Sequence, residues 1–297
     1  MIASVRIACA ASLILCGALS AQSVAAENAS PDFSGLWAHP FLTGMEPPAS
    51  GPGPVRNTAR RPDGVANFQQ LVGDHANPIL KPAAAAAVKQ HADQTRTGGW
   101  YPTPSNQCWP SGVPYIFWDF SVLFLQQKDQ IVLSYRQGGE VRRIRMNASH
   151  PARVAPSYYG DSIGRFEGDT LVIDTVGLKK NPFAMVDMYG TPFSEKLHVV
   201  ERYRLLDYDQ AKDAIERNAK ENSAALGNGA DFDPNYRGKV LQLHFTVEDE
   251  EVFTTPWTAT ITYRPNSLPW SEQICAENPR DFNNRESQIP KAEKADF

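Results

Sequence analysis

Glu201 is the first residue in this sequence that calls for a chemical explanation. It lies in an alternating run over residues 196–206, where Leu197, Val199, Tyr203 and Leu205 form an apolar face, and Glu201 shares their parity. A carboxyl group on a dry face must find a partner or rise in pKa until it is neutral. A raised carboxyl is what a general acid or base uses near neutral pH. Arg142 alternates with Ile144 and Met146 in a second run, 140–146, and reaches toward the same interior, so the same parity also allows a buried ion pair. His198 precedes Glu201 by three residues and on a strand points to the opposite face. The two would act together only across a bulge or at a barrel rim.

His150 opens a loop that carries Tyr158, Tyr159 and Asp161, and loops at the mouth of a barrel are where binding groups sit. Trp118 belongs to the run Tyr115, Phe117, Trp118, Phe120, Phe124, which would either line an apolar cavity or fill a core. Gly160-Asp161-Ser162-Ile163-Gly164 spells the G-x-S-x-G of a serine-hydrolase elbow, but that elbow needs a helix after the serine. Here Gly164-Arg165-Phe166 runs into Glu167-Gly168-Asp169, a turn signal, so Ser162 is the weakest of the candidates. The histidines form no H-x-H, H-x-x-x-H or HExxH arrangement, and neither GxGxxG nor GxxxxGK[ST] occurs. No metal and no cofactor is therefore expected.

The elements that must position these residues are mostly strands. From residue 115 onward eight segments read as strands: 115–125, nearly all apolar as a strand covered on both faces would be, and then 130–136, 140–146, 162–166, 170–176, 196–206, 239–249 and 257–263, where the period is two. Gln137-Gly138-Gly139 and Glu167-Gly168-Asp169 mark tight hairpins. Leu241, Leu243, Phe245 and Val247 share one face of their segment, and Trp257, Ala259, Ile261 and Tyr263 share one face of the next. Short links between one-sided strands predict a mainly β fold, an antiparallel meander closing as a lipocalin-like barrel, with a sandwich as the alternative. Peripheral helices are expected at 82–94, where Pro82 opens an alanine-rich stretch that Gly98-Gly99 stops, and at about 209–222. Residues 40–65 are too rich in proline and glycine for either element. The expected organisation is a signal peptide over 1–26, an arm and helix packing on the barrel over 27–114, and a β domain over 115–297.

Arg6 followed by an uncharged apolar run (7–19) and Val24-Ala25-Ala26 reads as a cleavable export signal. That run is too short for a bilayer span, which takes roughly 20 residues. Export predicts a periplasmic or secreted protein. Removal of the segment leaves Cys108 and Cys275, which an oxidising compartment would join in one disulfide. The full chain of 297 residues is 42% hydrophobic with a net charge of −4, and its mean hydropathy is −0.40. Those values exclude a disordered chain and an integral helical membrane protein, and they signal no basic surface for nucleic acid.

Pro31-Asp32-Phe33-Ser34-Gly35-Leu36-Trp37, the stretch from Gly160 to Thr175 (GDSIGRFEGDTLVIDT), residues 194–203, Thr255-Pro256-Trp257 and the tail from Ile289 to Phe297 together resemble a large family of exported bacterial proteins with no assigned activity. The resemblance covers nearly all of the chain after residue 26. It implies export and a single domain, and it brings no catalytic residue with it.

The leading functional expectation is a barrel that binds a small apolar or aromatic molecule, with cofactor-free acid–base chemistry of the lyase, hydratase or isomerase kind. Glu201, Arg142 and His198 would be the catalytic groups, and Tyr159, Asp161, His150 and Trp118 the ligand-binding ones. The alternatives are a non-catalytic envelope protein and a serine hydrolase using Ser162.

Overall fold

The structure is a computed structural model that describes residues 30–40, 45–99, 101–119, 121–221, 235–266 and 270. The expected signal peptide lies outside the described residues, and so does Cys275, and with it the expected Cys108–Cys275 bridge. Among the described residues, no helix is long and apolar enough to cross a membrane.

Nine strands close into one barrel in sequence order: β1 (Gly35–Ala38), β2 (Ser121–Gln126), β3 (Gln130–Tyr135), β4 (Val141–Met146), β5 (Asp161–Glu167), β6 (Thr170–Val176), β7 (His198–Leu206), β8 (Val240–Glu248) and β9 (Trp257–Pro265). The mainly β barrel expected from the period-two pattern is what the chain forms. Neighbouring strands are antiparallel throughout except at β4–β5, where Ile144 pairs with Ser162 and Met146 with Gly164 in parallel. That exception follows from closure. An odd number of strands cannot alternate direction all the way round a ring, so one junction must be parallel, and it falls where the long segment 147–160 returns the chain to the end at which β4 began.

Two expectations need correcting. Residues 27–114 are more than an arm packed on the barrel, because they supply β1, which closes the ring between β2 and β9. Residues 115–125 are not one strand: Tyr115–Trp118 form a 3-10 turn and β2 starts at Ser121. An unbroken apolar run has no periodicity, and burial alone suits a covered turn as well as a strand.

The facing read from alternation holds. Leu241, Leu243, Phe245 and Val247 on β8 and Trp257, Ala259, Ile261 and Tyr263 on β9 are buried in the bore. Phe124, Leu133, Tyr135, Ile144, Ile173, Tyr203 and Phe245 fill its centre, each at most 1% exposed. A void large enough for a water molecule would leave accessible area on the side chains lining it, so the bore around these residues is packed. Barrels of about eight strands are just narrow enough for side chains to do this.

The loops and the first helix gather at the end of the barrel where β4 begins and β3 ends. Helix α1 (Pro82–Arg96) starts with proline in its first turn and buries Ala84, Val88, His91 and Ala92 on one face. Its close seat requires small partners: a Cβ on Gly73 would lie 2.7 Å from Val88, and one on Gly190 would lie 2.9 Å from His91. Helix α2 (Tyr208–Glu221) sits between β7 and β8 in the chain, with Ala211 and Ile215 packed on Leu206 and Val240.

Candidate functional site

Arg142 and Glu201 meet inside the bore. The guanidinium lies on β4 and the carboxylate on β7, and they form a two-pronged ion pair, Nη2 to Oε1 at 2.6 Å and Nη1 to Oε2 at 3.1 Å. Both side chains are fully buried. The Tyr203 hydroxyl donates to Glu201 Oε2 at 3.0 Å, and Arg142 Nη1 donates to the Tyr135 hydroxyl at 3.2 Å. Arg142 Nη2 also reaches Thr175 Oγ1 at 3.3 Å and Ser162 Oγ at 3.4 Å. Burial works against the Arg142 charge, but the facing Glu201 charge outweighs it, so the guanidinium is held protonated. Burial pushes the Tyr135 and Tyr203 hydroxyls up as well, which keeps them as donors. Glu201 therefore has the interior position expected of it, with its oxygens occupied by an arginine and a tyrosine. Ser162 sits in β5 with its hydroxyl 2.9 Å from that of Thr175, and among the described residues no histidine is one of its hydrogen-bond partners. Trp118 is buried in the covering 3-10 turn, edge-on to Tyr189.

Three of the other predicted residues, His150, Asp161 and His198, come together on the outer wall. His150 Nδ1 lies 2.6 Å from Asp161 Oδ1, and its Nε2 lies 3.1 Å from Asp174 Oδ1. The same Asp174 oxygen is 3.0 Å from His198 Nε2, and His198 Nδ1 is 3.5 Å from Glu248 Oε2. Arg145 closes the row with hydrogen bonds to both Asp161 oxygens at 2.7 and 3.0 Å. Asp161, Asp174, His198 and Glu248 stand on β5, β6, β7 and β8 and all point outward, because Ser162, Thr175, Val199 and Val247 point in. The hydrogen bond to Asp174 raises the pKa of His198, and His198 in turn lowers that of Asp174. Asp174 was not singled out in the sequence. Its outward parity was readable there, but its two histidine neighbours depend on register and on the path of a loop. These groups join head to tail, and among the described residues no three His, Cys, Asp or Glu side chains are arranged to hold a metal ion.

A third group lies at the loop-covered end. Glu140, just before β4, is half-buried and its Oε1 accepts the Ser111 amide at 2.7 Å. Burial pushes its carboxyl up to about 7, with the Asp119 charge adding to the rise. Asp119 clasps the amides of Ser121 (3.1 Å) and Gln137 (2.5 Å), and burial pushes it to about 7. Tyr159 is raised to about 12 by burial and then by the Glu140 charge. Around them Trp109 meets Tyr158 and Phe183 edge-on, with ring centres 5.9 and 5.8 Å apart, and Lys179 lies over the Tyr158 ring. A Cβ on Gly112 would come within 2.8 Å of the Tyr158 carbonyl oxygen, which shows how closely the 109–112 and 157–159 segments pack. Glu140 went unnoticed in the sequence because it lies at a strand end, where alternation says nothing. The acid at Asp119, inside an apolar run, was the one available signal.

No protein-family model, curated protein or solved structure matches this chain.

Proposed function

We propose that this protein is an exported barrel that binds a small aromatic molecule at its loop-covered end and moves a proton on it without a cofactor, with Glu140 in place of Glu201 as the acid–base group. The observation that carries this reading is the half-buried Glu140 carboxyl, held by the Ser111 amide on the loop that also supplies Trp109. Aromatic rings give a flat ligand its apolar contact. A carboxyl that titrates near the working pH combines a sizeable basic fraction with useful basicity. Tyr159, held protonated, supplies a hydroxyl donor for charge that develops on the ligand. Export rests on the leader-like composition of residues 1–26.

The ring opening of 5-nitrobenzisoxazole, a flat aromatic probe that needs only a base to remove one C–H proton, tests the reading. The expected result is a rate about a hundredfold above that of free carboxylate at equal concentration. It should rise with pH through about 7, and it should be lost in Glu140→Gln and weakened in Trp109→Ala. A wild-type rate no greater than that of acetate would overturn it. The non-catalytic envelope reading would then stand, and the packed bore with its internally paired Glu201 is the observation that favours it.

A further inference from the structure

Residues 147–160 leave the end of β4 and return along the outside of the barrel to the start of β5. The Asn147 amide donates to the Gly164 carbonyl at 2.7 Å, and farther on the Ser157 amide donates to Gly177 at 3.1 Å and the Lys179 amide to Ser157 at 2.8 Å. Between these anchors His150 is inserted between two strands, with one ring nitrogen on Asp161 of β5 and the other on Asp174 of β6.

We propose that His150 is a protonation latch: as an imidazolium it holds segment 147–160 against β5 and β6, and on losing its proton it lets the 157–159 stretch, which carries Tyr158 and Tyr159, detach from residues 177–179. The latch would regulate the aromatic site and in that role rests on the reading given above, but its mechanics do not. Geometry carries it. A neutral imidazole has one donor and one acceptor, whereas both His150 nitrogens face carboxylate oxygens, and only the protonated ring donates to both. The surroundings make the same demand. The groups facing His150 and its partners are Arg145 on β4, Asp161 on β5, Asp174 on β6, His198 on β7 and Glu248 on β8. With both histidines protonated, three cations stand against three carboxylates. With both neutral, Arg145 alone faces all three, and the shared Asp174 loses both of its charged donors. Asp174 raises the affinity of His198 for its proton. Arg145 also donates to the Ser149 carbonyl at 3.3 Å, so the segment stays tethered at its start when the latch opens.

Amide hydrogen exchange of the ligand-free full chain, corrected for the intrinsic pH dependence of exchange, reads the latch at the Ser157 and Lys179 amides. Loss of one of the two charge-assisted hydrogen bonds at this partly exposed site should lower their protection about tenfold between pH 5.5 and 8.5, while β7 and β8 amides keep theirs. His150→Ala should show the low protection at both pH values. His150→Gln, whose amide donates hydrogen bonds but does not titrate, should lose the step as well and covers the case in which the alanine variant fails to fold. Equal protection at both pH values in the wild type, or a step that survives in either variant, would overturn the proposal. No aromatic probe is present, so a missing step removes the latch alone, and a failed 5-nitrobenzisoxazole assay removes the binding reading alone.

Discussion

Replacing Glu201 by leucine would leave the Arg142 guanidinium inside the barrel with no anion to face. Its two shortest hydrogen bonds to a charged partner, at 2.6 and 3.1 Å, would go, and the Tyr203 hydroxyl would lose its acceptor. Removing one member of a wholly buried pair typically costs about 3–5 kcal/mol. For a domain of this length that is a fall in melting temperature of roughly 10 °C. Arg142→Met alone strands the carboxylate and should cost a similar amount. The double variant Arg142→Met/Glu201→Leu strands no charge. Ser162 and Thr175 still hold each other at 2.9 Å, and only the Tyr135 and Tyr203 hydroxyls are left wanting, at roughly 1 kcal/mol or somewhat more each. The expected loss in the double variant is therefore about 2–3 kcal/mol, and the coupling energy between the two sites is about 4 kcal/mol or more. Urea denaturation of the four proteins measures it, with the slope of the transition checked for constancy. If the double variant loses the sum of the two singles to within about 0.5 kcal/mol, the pair is not coupled, and the account of the bore as a closed polar core is wrong.

The wild type should be less stable at pH 8 than at pH 5.5. Asp119 and Glu140, pushed to about 7, and Asp187, pushed to about 6, hold protons that the unfolded chain has already released, so their contribution disappears as pH rises through those values. His91, pushed down to about 4 by burial, acts oppositely, since below its unfolded value the unfolded chain takes the proton first. The balance of these groups is roughly 3 kcal/mol in favour of the acid side; thermal melts at the two pH values check the sign, and Glu140→Gln should flatten the slope. Ser162 should not react with a fluorophosphonate probe, because its hydroxyl is buried against Thr175 and Arg142 with no base among its partners in the described residues. Ser162→Ala should cost about 1 kcal/mol in a urea titration, and labelling at Ser162 would reverse that conclusion.

Much of the barrel could be read from alternation alone. The inward faces of β8 and β9, the Gly-bearing hairpins, the proline-led helix and the inward direction of Arg142 and Glu201 all follow from period two and turn chemistry. What alternation could not supply was anything set by closure. The segment Gly35–Ala38 is too short to display a period, and it becomes a stave only because β2 and β9 need a strand between them. The parallel β4–β5 junction likewise follows from the parity of a nine-membered ring and from no local residue preference. Asp174 follows the same logic: its outward direction was in the sequence, but the two histidines that share its Oδ1 come from a loop and from the neighbouring strand.

The two halves of the candidate chemistry differ for a related reason. A charged residue stands out in a sequence when it interrupts an apolar face, and that pattern selects for full burial. Full burial is tolerable for an ion only when a partner neutralises it, so the most conspicuous carboxylate, Glu201, is also the one whose oxygens are already committed to Arg142 and Tyr203. A group that must exchange protons with a ligand needs partial burial, enough to shift its pKa and not enough to require a permanent partner. Glu140 meets that condition just before β4, at a strand end where the hydrophobic pattern is silent. Reactive positions in such a barrel are therefore better sought one or two residues beyond the ends of its strands than at the polar breaks in its dry face.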